Sequence, residues 1–158
     1  MEPKSCCFSG HRLIPDGELA ALSAALDGEI AALAARGTES FYCGGALGFD
    51  TLAARSVIRA KAEFPALRLT LAIPYEGMEK RWSLRDRIAY EEIMAAADST
   101  VFLSEHYDKT CMLRRDRYMV DRSDTCVCYL TQTTGGTAYT VNYALSCGIE
   151  VINLALKI

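Results

Sequence analysis

Six short apolar runs recur along the chain, and five of them give way to a polar or glycine-containing turn and then a helical pattern. The runs are Lys4 to Phe8, Ser40 to Cys43, Arg68 to Ile73, Thr100 to Leu103, Thr125 to Leu130 and Glu150 to Leu154. Between the first two, Leu19, Leu22, Leu26, Ile30 and Leu33 fall three or four apart, which makes one apolar stripe of a helix opened by Pro15-Asp16 and closed by Arg36-Gly37. A second helix is predicted from Asp50 to about Glu63, ahead of Pro65. Ser83 is placed to cap a third, through about Ala97. Two more cover Met112 to about Asp121 and the stretch from Gly135-Gly136 to Gly148. Strands alternating with helices over such connections specify an α/β fold, with a mostly parallel sheet covered by helices on both faces. The 158 residues fit a single domain, 1–158.

Right-handed crossovers bring the loops after successive strands to one edge of such a sheet, where ligands bind near the switch in strand order. Four loops are expected there: Ser9-Gly10-His11-Arg12, Gly44 to Asp50, Pro74-Tyr75-Glu76-Gly77, and Thr131 to Thr137. Two are rich in glycine and feed helix N-termini. Gly44-Gly45 and Gly135-Gly136-Thr137 let backbone approach a ligand closely, and the first N–H groups of a helix lack intrahelical partners and favour an anion. Ser9, His11 and Arg12 add a hydroxyl, an imidazole and a guanidinium, the last a charge partner for phosphate. Asp50 has two roles open to it, a helix cap or an acceptor for ribose hydroxyls. No Gly-Lys-Ser/Thr follows either turn, and Gly44-Gly45-Ala46-Leu47-Gly48 misses the Gly-x-Gly-x-x-Gly spacing, which argues against a P-loop enzyme and a standard dinucleotide oxidoreductase.

One helix carries a charge where a core residue is due. Met112, Arg115, Met119 and Arg122 recur at three- and four-residue steps and so share a face. An arginine in that stripe needs a carboxylate, a carbonyl or a ligand anion, because burying it unpaired is costly; Asp50 and Asp98 are the core acids available. Arg114 and Arg117 point to solvent. Trp82, beside Arg81, either stacks on a ring or fills the core, the second being the commoner role. The seven cysteines are odd in number and no secretory signal precedes them, so reduced thiols are expected. Cys126-Val127-Cys128 lacks zinc spacing, and neither a metal nor a cofactor is predicted. A net charge of −3 argues against nucleic acid as a partner. With no signal-like start and no run near the ~20 apolar residues of a membrane span, a cytoplasmic location without membrane contact is expected.

Together Cys7-Phe8-Ser9-Gly10-His11-Arg12, Gly44 to Asp50, Arg115-Asp116-Arg117-Tyr118-Met119-Val120-Asp121 and Gly135-Gly136-Thr137 resemble the YpsA-like branch of the SLOG superfamily, which groups the DNA-processing protein DprA with the Lonely Guy cytokinin-activating enzymes. The resemblance spans nearly the whole chain and implies a Rossmann-like fold, a site for a nucleotide or phosphoribosyl ligand, and self-association. It brings no settled reaction with it. Lonely Guy phosphoribohydrolases resemble Met-x-x-Arg-Lys-x-x-Met followed by Pro-Gly-Gly-x-Gly-Thr-x-x-Glu; here Asp116 stands where their lysine is and Thr140 where their glutamate is. Threonine cannot supply the carboxylate that glycosidic chemistry uses. The resemblance therefore implies ligand binding, as by a sensor, over hydrolysis. A hydrolase would have to recruit Asp50, Glu76 or Glu105. Single-stranded DNA binding, as in the DprA branch, would rest on Arg114, Arg115, Arg117, Arg122 and Tyr118, interrupted by Asp116 and Asp121.

Overall fold

A computed structural model describes residues 3–158. Its elements run β1 (Lys4–Gly10), a 3-10 turn (Asp16–Glu18), α1 (Leu19–Ala35), β2 (Thr38–Cys43), α2 (Phe49–Ala60), β3 (Arg68–Ile73), α3 (Leu84–Ala96), β4 (Ser99–Phe102), α4 (Cys111–Asp121), β5 (Thr125–Tyr129), α5 (Gly136–Ser146), β6 (Glu150–Asn153) and a closing 3-10 turn (Leu154–Leu156). The six strands form one sheet in the order β4-β3-β2-β1-β5-β6. Every neighbouring pair is parallel. The sheet is thus parallel throughout, and the Rossmann-like α/β reading holds.

Side chains alternate between the two faces of the sheet, and the helices divide accordingly. Phe8, Phe41, Leu69, Leu71, Ile73, Val127 and Tyr129 pack with Leu22, Leu26, Ile30 and Leu33 of α1, Phe49 and Val57 of α2, and Tyr90 and Ile93 of α3. The opposite face offers smaller groups, Cys7, Ala72, Cys126 and Cys128. It receives Met119 and Val120 of α4 with Val141 and Ala144 of α5. Leu19, first of the predicted stripe, is instead 38% exposed, because the chain enters α1 through the 3-10 turn and its first residue lies off the core. Gly37 follows α1 with φ of +98°, and the Ser83 hydroxyl accepts the Asp86 N–H at 3.2 Å, so both punctuation signals act as expected.

Three differences bear on the site. β1 continues through Ser9 and Gly10, which pair with Cys128 and Tyr129 of β5, so the loop after it begins at His11. Asp50 does not cap α2: Gly48 occupies the cap position, and the Asp50 carboxylate accepts the Ala46 N–H at 3.1 Å from inside the first turn. Trp82 is partly buried against the core, edge-on to Tyr90 with ring centroids 5.4 Å apart. Among the described residues no helix is long and apolar enough to cross a membrane.

Strand order locates the switch point. From the central β1 the chain winds outward to β4; α4 then carries it back across the sheet to β5, on the other side of β1. Loops leaving β1 and β5 therefore diverge, and a crevice opens above the ends of these two strands.

Candidate functional site

That crevice holds a cavity of about 350 Å³. One wall is the end of β1 and the loop after it, Ser9 to Arg12; the facing wall is Gln132 and Thr134 to Thr137, leading into α5. Ala46 and Asp50 come from the start of α2, and Met112, Arg115, Asp116 and Met119 from α4. Gly135 adopts φ of +101°, a left-handed conformation that favours glycine. It is the cap residue of α5, and the Tyr139 N–H already bonds its carbonyl at 3.0 Å. The N–H groups ahead of Tyr139 in the first turn lack intrahelical acceptors and carry the positive end of the helix dipole.

Three charged side chains that line the same cavity are buried. Arg115 is 7% exposed, Asp50 6% and Asp116 9%. The arginine is held from two sides: Nε donates to Asp116 Oδ1 at 2.7 Å and Nη1 to the Gly44 carbonyl at 2.5 Å. Its Nη2 faces the Met112 thioether at 3.9 Å, a weak acceptor. Among the described residues no oxygen accepts from Nη2. The Met112 contact is only part-buried and Arg115 lines the cavity, so a bound group has room to offer Nη2 an oxygen.

Gly44 is glycine because of this contact. A methyl group at its Cα would stand 2.8 Å from Arg115 Cζ and 2.9 Å from Asp50 Oδ2, so only a bare backbone lets the guanidinium reach the carbonyl. Burial pushes the Asp50 carboxyl up to about 6, against the opposing pull of Arg115. The Ala46 N–H and Arg12 also favour its ionised form, while Asp116 disfavours it. His11 is shifted the other way for a base: burial holds its imidazole below the usual value of 6.5. Its Nε2 accepts the Thr131 N–H at 3.0 Å, and its ring stands edge-on to Tyr129.

Nine of the residues singled out from sequence line the cavity together: Ser9, Gly10, His11, Arg12, Asp50, Arg115, Gly135, Gly136 and Thr137. Gly44 lies behind Arg115 as its acceptor. Gly45 faces away, toward Ile73 and Tyr90. Pro74 to Gly77 do not reach the cavity, nor do Glu76 and Glu105. Thr140 is buried and its hydroxyl bonds the Gly136 carbonyl at 3.0 Å, so it is occupied within its own helix. Arg122 lies outside, its guanidinium 3.6 Å from the Tyr118 ring centroid. Sequence reasoning missed Asp116, the actual carboxylate partner of Arg115. The available signal was its place four residues before the apolar Val120, on the buried side of α4.

A parallel doubly wound sheet with a helix N-terminus at its switch point defines the class, a Rossmann-like single domain. Comparison with known proteins narrows it. The model described as the YspA SLOG family matches residues 14–148, and the chain belongs to that family. It is 28% identical over 132 residues to a UPF0398 protein of Bacillus licheniformis, a match covering 82% of this chain and 72% of the relative. Among solved structures it resembles DprA of Streptococcus pneumoniae, with TM-score 0.64, 16% identity and 94% of this chain covered. DprA of Helicobacter pylori, whose structure is described in terms of that protein's single-stranded DNA binding mode, gives TM-score 0.65 and 18% identity, again over 94% of this chain. The chain spans 49% of the first DprA chain and 64% of the second, and the likeness is one of fold.

Proposed function

We propose that the protein binds a single nucleotide or a phosphoribosyl compound in this cavity, as a sensor or regulatory module. The observation that carries the reading is Arg115, a buried guanidinium with Nη2 lacking an oxygen acceptor, lining the same cavity as the N-terminus of α5. Helix terminus and guanidinium together suit a phosphate. The carboxylates of Asp50 and Asp116 suit ribose hydroxyls. A volume of about 350 Å³ lies at the small end of ligand pockets, which favours one nucleotide over a dinucleotide. Thermal-shift screening with AMP, ribose 5-phosphate and ADP-ribose tests this. A ligand at 100 times its dissociation constant stabilises by about 2.7 kcal/mol, and absence of any shift across the three would remove the reading.

Two other readings have an observation each. Asp50 and Asp116 are carboxylates in the cavity, which keeps a nucleoside-monophosphate N-glycoside hydrolase open; release of free base from nucleoside monophosphates decides it. Single-stranded nucleic acid is favoured by the seam between α4 and α5. There Arg117 donates to the Tyr139 hydroxyl at 2.7 Å and lies 5.1 Å from the Tyr143 ring centroid. Cations and ring faces of this kind suit stacked bases in spite of the acidic net charge. Oligonucleotide anisotropy at two salt concentrations is the test, since phosphate contacts weaken steeply with salt.

A further inference from the structure

The turn between β5 and α5 is exposed from Thr131 to Gly136. Few contacts fix where it starts. Leu130 is tied to Asn153 through its N–H at 3.1 Å and its carbonyl at 3.0 Å. One residue later, the Thr131 N–H reaches across the crevice to His11 Nε2. His11 is itself anchored, because its carbonyl accepts the Phe49 N–H at 3.1 Å at the start of α2. A single imidazole therefore spans the two walls of the cavity.

We infer that His11 is the positioning residue of this site: as a neutral ring it latches the β5–α5 turn to the loop after β1, and its protonation releases the turn. The chemistry is that of an acceptor lost. With the Thr131 N–H on Nε2, the ring's proton sits on Nδ1. A second proton must go to Nε2, where it would face another N–H, and the bond becomes a repulsion. The groups around the ring do not offset this. Tyr129 of β5 presents its edge-on ring, and its hydroxyl donates to Glu18 Oε1 at 2.9 Å, which places that carboxylate beyond the tyrosine. Arg12, next in the chain, and Arg115 of α4 are cationic and oppose imidazolium. Asp50 of α2 and Asp116 of α4 favour it, but both are engaged, by Ala46 and Arg115. Burial already disfavours the charged ring.

The inference rests on the anion-site reading for its functional meaning, but the latch itself is tested without ligand. NMR-detected amide exchange on the full chain, expressed as protection factors, is compared at about pH 7.5 and about pH 5. In the wild type the Thr131 amide should lose about ten-fold in protection on acidification, as for one hydrogen bond lost. His11→Gln retains an acceptor that does not titrate, and its protection should stay flat. His11→Phe keeps a ring against Tyr129 without an acceptor, and Thr131 should exchange rapidly at both pH values while β1 and β5 core amides stay protected. Equal protection in His11→Phe and wild type at pH 7.5, or a shared pH profile in wild type and His11→Gln, would overturn the latch. Ribose 5-phosphate titrations of wild type and His11→Gln then read the consequence. Their affinity ratio should change with pH, a comparison that cancels titration of the phosphate and of Asp50; a ratio constant with pH would overturn the positioning role. If ribose 5-phosphate binds neither, AMP and ADP-ribose take its place; if all three fail and the exchange results stand, the latch survives and the anion-site reading falls.

Discussion

At the scale of single residues, the cavity keeps charge where stability alone would remove it. Asp50 has a folded-state pKa raised from 3.8 to about 6. The folded protein thus binds the proton more tightly than the unfolded chain, so the group's contribution is full below about pH 3.8 and is lost as pH rises through about 6. At neutral pH the ionised carboxylate is a net cost. A rise of about two units at about 1.4 kcal/mol each puts it on the order of 3 kcal/mol. Asp50→Asn should therefore be more stable than wild type in urea unfolding at pH 7.5, with the gain shrinking toward pH 4, and should bind the proposed ligands less well. His11 has a lowered folded-state value, so in its case stability is present above about pH 6.5 and falls as pH drops from there toward the folded-state value. Gly136 offers a cleaner test of the proposed anion site. A Cβ there meets nothing within 4 Å, and an aspartate would set its own carboxylate at the helix N-terminus. Gly136→Asp should leave the melting temperature of the ligand-free protein unchanged or slightly raised, by up to about 1 kcal/mol in stability, and should abolish any ligand-induced thermal shift.

At the scale of elements, the strands and helices were legible because period and punctuation agree along the chain. β3 has its predicted bounds, and the other strands shift by a residue or two. The glycine turns, Ser9 to Arg12 and Asp50 could be assigned to one sheet edge from topology, and Arg115 stood out as a charge in the apolar stripe of its helix. Partner choice could not be read. Arg115 bonds the residue beside it in sequence and a carbonyl 71 residues away, and both choices follow from how α4 lies over the sheet between β3 and α5. The orientation of Gly45, toward α3 and away from the cavity, likewise depends on the path of a loop that sequence does not specify. Asn153 is a further case. At the end of β6 it accepts the N–H groups of Leu130 and Ala155, both at 3.1 Å, and donates to the Leu130 carbonyl. Asn153→Ala should cost about 1–3 kcal/mol in denaturant unfolding, and should raise amide exchange from Leu130 to Gly135 ahead of the rest of β5. Equal exchange across that boundary would show that Asn153 does not hold the turn.

At the scale of the whole molecule, cysteine usage follows from the sheet. Six of the seven thiols are buried and free, and Cys147 alone is exposed. Burial pushes Cys6 and Cys43 well up and takes Cys128 to about 12; in Cys126 the neighbouring Cys7 thiol is the larger cause, ahead of burial. These groups act as small core side chains, Cys6 and Cys43 on the face under α1 to α3, and Cys7, Cys126 and Cys128 on the face under α4 and α5. A colorimetric thiol titration should find one fast-reacting group in the native protein and seven in denaturant; two or more fast thiols without denaturant would place one of those faces in contact with solvent. The return of α4 across the sheet has an effect on assembly. Asp50 and Arg115 lie on opposite sides, in sequence, of the exposed segment from Glu105 to Thr110. Everything N-terminal to it supplies one half of the cavity, and everything C-terminal supplies the other. No partly folded form with only one half in place can carry the site, so occupancy by a ligand would register completion of the fold. Two fragments divided at that segment would bind only upon finding each other.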